Sequence, residues 1–383
     1  MRLLRIYGDT LIATVSDSAI VSFILLAPIV YAFFYPQAYR LQVARHVPVA
    51  IVDADRSSLS RRIERDSAAA PDLTLTAVTG SPAEAGRLLA AGTVAGVLTI
   101  PVHLERDVRR RRQARVVIFG NGAYPLLNST TSAAFAAIVQ NVNAGIDIRM
   151  REAGGASRSQ AVAQRAPLTL TLERLFNPPS GYANAIIPAV GVLIVHQTIL
   201  LGVGVAIATR RERGTRGRYR LSRFLAEAAA FATFGFATTL FYEGFELTSW
   251  DLPRTGSAST VIAFAALFAL ATTFFAMALG ALFDTRERVA QIVVPFSIPL
   301  LFIAGYSWPA QALPGLLGAV RWLVPSSAGI LGLTQIAQMG AGWNDVVPEV
   351  LDLAFLTLGF GGLAFIALRR RSARRPLSAL DRG

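Results

Sequence analysis

Apolar residues along this chain collect in long unbroken runs, and one large polar insertion separates the first run from the rest. Runs occur at about 18–36, 182–208, 224–245, 258–282, 291–307 and 346–368. Each is near the ~20 residues a helix needs to cross a bilayer. A further apolar stretch, Ala310–Ile336, is interrupted by Pro314, Pro325 and several glycines. It reads as a re-entrant or interfacial piece, because irregular backbone at membrane depth needs protein or a water-filled cavity around it. The pattern predicts an α-helical integral membrane protein of about six transmembrane helices, with a re-entrant segment before the last and an inserted α/β domain.

The insertion, about 37–180, is long enough to build its own core. Pro48–Asp53 reads as a buried strand, Ser57–Ser67 as a polar helix and Leu73–Val78 as an alternating strand. Ser81-Pro-Ala-Glu84 resembles a capping box opening a helix to Ala91. Val94–Ile100 and Val116–Phe119 are further strands, Tyr124–Arg151 a long helix with a second piece to Gln164, and Leu168–Arg174 a candidate returning strand. Strands alternating with helices indicate an α/β unit. Ahead of the first run, residues 1–17 place Leu3, Leu4, Tyr7, Leu11 and Ile12 at helical spacing opposite Arg2, Arg5 and Asp9. This is either an amphipathic helix on the cytoplasmic face or an extension of the first span. That span ends in Phe34-Tyr-Pro-Gln37 without a small-residue cleavage pattern, so it reads as a retained anchor.

The net charge of +13 comes with 53% hydrophobic residues, and its distribution speaks for topology rather than nucleic acid. Arg210, Arg211, Arg213, Arg216, Arg218, Arg220 and Arg223 lie between the runs at 182–208 and 224–245. Arg369, Arg370, Arg371, Arg374 and Arg375 follow the last run, and Arg2 and Arg5 precede the first. Arginines in short loops mark the cytoplasmic side. Six spans put all three clusters there, with both termini cytoplasmic, the 37–180 domain outside and 369–383 a basic cytoplasmic tail. The short loop Glu246–Gly256 carries only Arg254 against Glu246 and Asp251, as suits the outside. Arg109–Arg112, within the insertion, is either a solvated charge run or a site for an anionic lipid head group or acidic partner.

The inventory of reactive groups is thin. There is no lysine and hence no Walker A lysine, so this chain does not itself bind ATP in P-loop fashion. There is no cysteine, which excludes disulfides and thiolate chemistry. His46, His103 and His196 are far apart and in no metal-ligand spacing, and Gly305-Tyr-Ser-Trp-Pro309 lacks the closing glycine of a nucleophile elbow. Asp53 and Asp55 read as a strand-to-helix turn, Asp55 capping the next helix, or as a paired-carboxylate site. Polar residues inside spans carry more information because lipid makes them costly. Asn184, His196 and Gln197 either line a translocation path or bond a neighbouring helix. Glu227 is placed to pair with Arg223 four residues before it. Glu243 and Glu246 face a cavity mouth or solvent.

Several segments together resemble the permease subunits of ABC-2 type exporters, in the branch with a large domain between the first two spans. Arg211-Glu-Arg-Gly-Thr215 is similar to that family's E-R-E-x-G-T segment, with Arg211 in place of its first glutamate. Leu175-Phe-Asn-Pro178 followed by Tyr182-Ala-Asn184 resembles the family's entry to the second span. Gly305-Tyr-Ser-Trp-Pro309, Leu313-Pro314, Val324-Pro-Ser-Ser327 and Gln335-Ile-Ala-Gln-Met-Gly-Ala341 resemble its closing segments. The resemblance implies a non-enzymatic subunit of a bacterial inner-membrane exporter, paired with a separate ABC ATPase that carries ATP and Mg, and with a second permease copy. It implies contact with membrane lipids, an adaptor protein on the outer side, and an amphipathic drug or lipid as substrate. Arg211, Glu212, Arg213, Gly214 and Thr215 would start the element that couples to the ATPase. No cofactor is expected on this chain. The alternatives are a membrane-anchored sensor or envelope scaffold with a ligand-binding outer domain, and an intramembrane enzyme, for which only His196 is a candidate. The short basic tail after Leu368 offers no output domain for a sensor.

Overall fold

The structure is a computed structural model and describes residues 2–40, 42–165, 175–177, 181–212 and 219–373. The chain divides into two compact units, one of Met1–Gln42 with Arg174–Gly383, the other Val43–Glu173.

The second unit is built on a four-stranded sheet. Its strands are β1 (Val47–Asp53), β2 (Leu73–Thr79), β3 (Gly96–Ile100) and β4 (Val117–Gly120), in the order β2-β1-β3-β4. β1 runs parallel to β2 and β3, and β4 antiparallel to β3. Parallel neighbours need crossovers, supplied by the helices Ser58–Ala68 and Pro82–Ala90. The continuous apolar run of β1 follows from burial on both faces. Val49 and Ile51 pack with Ile63 and with Phe135, Ile138 and Val142 of the long helix Pro125–Ala153. Ala50 and Val52 pack against Ala85 of the Pro82–Ala90 helix. The segment Leu168–Arg174, expected as a strand, lies outside the described residues.

The turn after β1 differs from its expected form. Ser57, not Asp55, caps the Ser58–Ala68 helix, in a reciprocal box with Ser60. Asp55 instead accepts from the Glu105 amide (3.0 Å) at the start of the Leu104–Arg109 helix. Glu105 returns the arrangement, accepting from the Ser58 amide (3.0 Å) and hydroxyl (2.9 Å). Two helix N-termini, each rich in unpaired amides, therefore cap each other through carboxylates from distant positions. Asp53 is buried and accepts from the amides of Asp55 (2.9 Å) and Arg56 (3.0 Å) and the Ser60 hydroxyl (2.7 Å). Burial opposes its ionisation, but these hydrogen bonds prevail and hold its pKa below the ordinary value.

The first unit is helical. Among the described residues, five helices are long and apolar enough to cross a membrane: Ser18–Tyr39, Tyr182–Arg210, Leu221–Ser249, Ala258–Gly280 and Trp343–Arg370. A sixth crossing arises if the pair Gly315–Leu323 and Pro325–Gln338, bent by 85°, counts as one. The bend sits at Val324, ahead of Pro325, where the sequence predicted a broken segment; a residue before proline is driven out of the helical region. The apolar run 291–307 is not one straight helix. It is divided among Arg286–Val293, a 3₁₀ turn at Val294–Phe296 around Pro295, and Ser297–Ile303.

The Tyr182–Arg210 helix is the hub: 94% of its apolar window is buried, against 22% for the first and last spans. Small residues let neighbours approach it closely, the usual device where lipid removes the hydrophobic drive for helix pairing. Gly204 meets Gly280, Gly202 lies against Ile24, and Gly191 against Tyr242. Elsewhere Gly329 and Gly332 receive the rings of Phe268 and Phe264. Three spans contain a π-helical turn, at Ser22–Leu26, Phe241–Glu246 and Thr334–Gln338. The Ala337 and Gln338 carbonyls at the end of the last are taken up by Thr255 and Gly256.

The N-terminal helix, Arg2–Ser16, packs on the Leu221–Leu240 helix through buried Thr10 and Thr14 and a Tyr7–Thr233 hydrogen bond (2.9 Å). Leu3, Leu4 and Ile12 point outward. It is a separate helix, because Asp17 interrupts the chain and caps the helix that follows.

Candidate coupling and translocation residues

A cluster of charged groups marks one end of the first unit. The hub helix finishes at Glu212, whose carboxylate accepts from the Arg286 amide (2.9 Å) and lies 3.3 Å from its Nε. Arg286 also lies 3.8 Å from Asp17. One guanidinium thus ties the end of the hub helix, the start of the Arg286–Val293 helix and the break before the first span. Beside it, Glu227 is buried between Arg223 (2.8 Å) and Arg210 (2.7 Å) and accepts from the Tyr219 hydroxyl. The expected Glu227–Arg223 pair is therefore present, extended by Arg210 and Tyr219. Burial, then the adjacent Glu227 carboxylate, pushes the Tyr219 phenol up. Arg2, Arg5, Arg210, Arg220 and Arg223 border one cavity of about 750 Å³. The N-terminal arginines and those after the hub helix therefore share an end of the unit.

The candidate coupling residues divide accordingly. Glu212 is placed as above, and Arg211 lies in the last turn of the hub helix. Arg213, Gly214 and Thr215 lie outside the described residues. Arg286 and Asp17 were missed from sequence. Their signal is only a charged residue at a helix start, and nothing local names Arg286 as the common partner of Asp17 and Glu212.

The candidate path residues behave in two ways. Asn184 is held in hydrogen bonds: its Oδ1 accepts from Gln42 Nε2 (2.7 Å), its Nδ2 donates to Asn177 (3.1 Å), and its carbonyl accepts from Gln338 Nε2 (2.9 Å). His196 and Gln197, buried midway along the hub helix, reach no hydrogen-bond partner among the described residues. His196 stacks on Phe275 at 5.9 Å between centroids. Leaving such groups without partners costs about 1–3 kcal/mol each. Glu243 and Glu246 are buried on the π turn rather than facing solvent, and Glu246 Oε2 has no partner among the described residues.

A bundle of membrane-length helices around one enclosed hub, with a broken segment before the last span and charge gathered at one end, describes a multi-pass transport subunit. Residues 18–368 match the model of the ABC-2 family transporter proteins, and the chain belongs to that family. It is similar to the inner membrane transport permease YhhJ of Escherichia coli K12, 24% identical over 336 residues, 84% of this chain and 85% of the relative. It is also similar to the probable multidrug ABC transporter permeases YbhR and YbhS of that organism. YbhR is 21% identical over 362 residues, 91% of this chain and 93% of the relative. YbhS is 20% identical over 338 residues, 84% and 87%. The chain is thus a membrane permease subunit of an ABC transporter, not an enzyme, and its ATPase is a separate chain. This displaces the sensor, scaffold and intramembrane-enzyme readings.

Proposed function

We propose that two copies of this chain pair with an ABC ATPase to export an amphipathic drug or lipid from the cytoplasm or inner leaflet of a bacterial inner membrane. ATP and Mg belong to the ATPase in this reading. Both chain ends lie on the cytoplasmic side with the arginine-rich end of the first unit, and the 43–173 unit lies outside, where an adaptor protein can meet it. The shared cavity of Arg2, Arg5 and the arginines near Glu227 supports this orientation. The name of the relatives YbhR and YbhS as probable multidrug permeases supports the substrate class.

The observation that carries the reading is the Glu212–Arg286–Asp17 tie. The 211–215 segment receives the motion of the ATPase at the end of the hub helix. A displacement there moves the start of the Arg286–Val293 helix and the entry to the first span together, through one guanidinium. The hub helix, enclosed along its length, passes the motion to its neighbours. His196 and Gln197 are the groups we assign to the path, with Asn184 at the opposite end of the hub helix fixing its start. Two discrete packings of these helices give alternating access.

The test is ATP turnover by the complex of this chain and its ATPase in liposomes, with a panel of amphipathic drugs and lipids. Glu212→Ala, Gly214→Pro and Arg286→Ala are expected to lower substrate-stimulated turnover at least several-fold while insertion is unchanged. Stimulated turnover that survives all three removes the coupling assignment.

A further inference from the structure

A cavity of about 1010 Å³ in the second unit lies between the Ser58–Ala68, Leu104–Arg109 and Pro125–Ala153 helices and the loop that follows the second of these. It is at the upper end of the ~300–1,000 Å³ typical of small-molecule sites. Its lining is mixed, the apolar part being Ile63, Leu104, Val142 and Ile146, which belong to or pack against the main core of the unit. Its rim is cationic, carrying Arg111, Arg112, Arg115 and Arg151. Asp147 is the one acid on the lining, and Arg151 already engages it (3.1 Å).

The remaining three arginines line the cavity, which Arg106, Arg109 and Arg110 do not. Arg106 and Arg109 lie against Asp107 and Glu105. Arg111, Arg112 and Arg115 have no carboxylate within salt-bridge distance among the described residues, and all are exposed. The backbone explains their position. The Leu104–Arg109 helix ends in a Schellman turn, with the Arg111 amide on the Val108 carbonyl (3.0 Å) and the Arg112 amide on the Asp107 carbonyl (2.8 Å). Arg111 occupies its left-handed position at φ 58°, where glycine is the usual residue. This turn reverses the chain, so that Arg111–Arg115 follow the cavity mouth instead of extending the helix into solvent.

We propose that this cavity binds an anionic amphiphile, its acyl tail on the apolar part of the lining and its carboxylate or phosphate on Arg111, Arg112 and Arg115. The charge complementarity selects the head, since a planar guanidinium engages either oxyanion with paired hydrogen bonds. The apolar part of the lining selects the tail, since an apolar surface reached through a charged mouth favours a molecule with both characters. The site stands whether or not the transport reading does, because it uses the second unit alone.

The experiment uses the full chain in phosphatidylcholine nanodiscs and a fatty acid carrying a photoreactive diazirine on its tail, with labelled peptides mapped by mass spectrometry. Labelling is expected within 104–116 and 139–151. Oleate or lysophosphatidylglycerol should displace it and oleyl alcohol should not. Stronger displacement by oleate identifies a free fatty acid as the ligand, and stronger displacement by the lysolipid identifies a phospholipid head. The triple variant R111Q/R112Q/R115Q changes only exposed side chains and is expected to cut labelling about tenfold or more. Ile146→Trp, which fills the apolar part, should do the same with the arginines intact. Label confined to the membrane helices overturns the proposal. So does displacement by oleyl alcohol equal to that by oleate, or a cavity closed to the probe because a second copy or another protein covers it.

Discussion

The two units differ in how completely they satisfy buried polarity. In the sheet unit Asp53 is buried but receives three donors, and Asp55 and Glu105 cap each other's helices. In the helical unit His196, Gln197 and Glu246 are buried with polar atoms that meet no partner among the described residues. Groups of the first kind are part of what holds a fold in one state. Those of the second kind subtract from stability in the packing seen, a cost that a bound water, a second packing or a passing ligand would relieve. The contrast places such groups in the helical unit.

The strongest attack on the comparison is steric. A side chain at Gly332 would run into the Phe264 ring, so Gly332→Leu is expected to cost about 3 kcal/mol and to lower the yield of folded, monodisperse protein on size exclusion. Near-normal yield would show that the helical packing yields more readily than described. Next, Glu227→Gln removes the charge that Arg210 and Arg223 share. Breaking a fully buried pair costs ~3–5 kcal/mol; with both arginines partly exposed we expect about 2 kcal/mol, read as a lower thermal midpoint in detergent. Ser57→Ala should loosen the start of the Ser58–Ala68 helix by about 1 kcal/mol, seen as faster amide exchange confined to that helix.

The smallest stability effect carries the most information. His196→Leu deletes no hydrogen bond, so the thermal midpoint should hold or rise. If substrate-stimulated turnover falls while the midpoint holds, His196 belongs to the path; if both fall, it belongs to the packing. The sheet unit sharpens the comparison from its own side by pH. Hydrogen bonds from Ser58 and from Arg109 lower the Glu105 carboxyl from 4.5 to about 2, and Asp53 is lowered too. A depressed folded pKa contributes stability that is complete above the unfolded value and is lost as pH falls through the folded one. Exchange protection of the sheet unit should therefore decline as pH falls toward 2, while Glu64, raised by burial and by Asp53, works in the opposite sense as pH rises above 4.5. A loss beginning near neutrality would point to other groups.

What the sequence disclosed follows the same division. The expected strands and helices of the sheet unit that fall on described residues lie within a residue or two of their bounds, because alternation, caps and turns are encoded by neighbours; the short Leu104–Arg109 helix was not expected. Asp55 escaped because its partner is fifty positions away, at Glu105. In the helical unit the spans and the break before Pro325 were legible from hydropathy and proline. The 291–307 run was not, since hydropathy counts apolar residues and is blind to the 3₁₀ turn at Pro295. The Glu212–Arg286–Asp17 tie was illegible for a different reason. Each member looks like an ordinary charge at a helix end, and only packing brings the three ends together.

The π turns have a consequence for how the spans tolerate change in length. Each holds one residue more than a regular helix would use over the same rise. In the Leu221–Ser249 span this surplus brings adjacent pairs, Tyr242–Glu243 and Glu246–Leu247, inside together. Losing one residue from an ordinary helical stretch turns everything beyond it by about 100° and carries the lipid face into the core. A residue lost from Phe241–Glu246 lets the turn relax to an α-helix, and the flanking faces keep their bearings. The same holds for Ser22–Leu26. Two spans therefore carry slack at known points, where a deletion is absorbed instead of propagated.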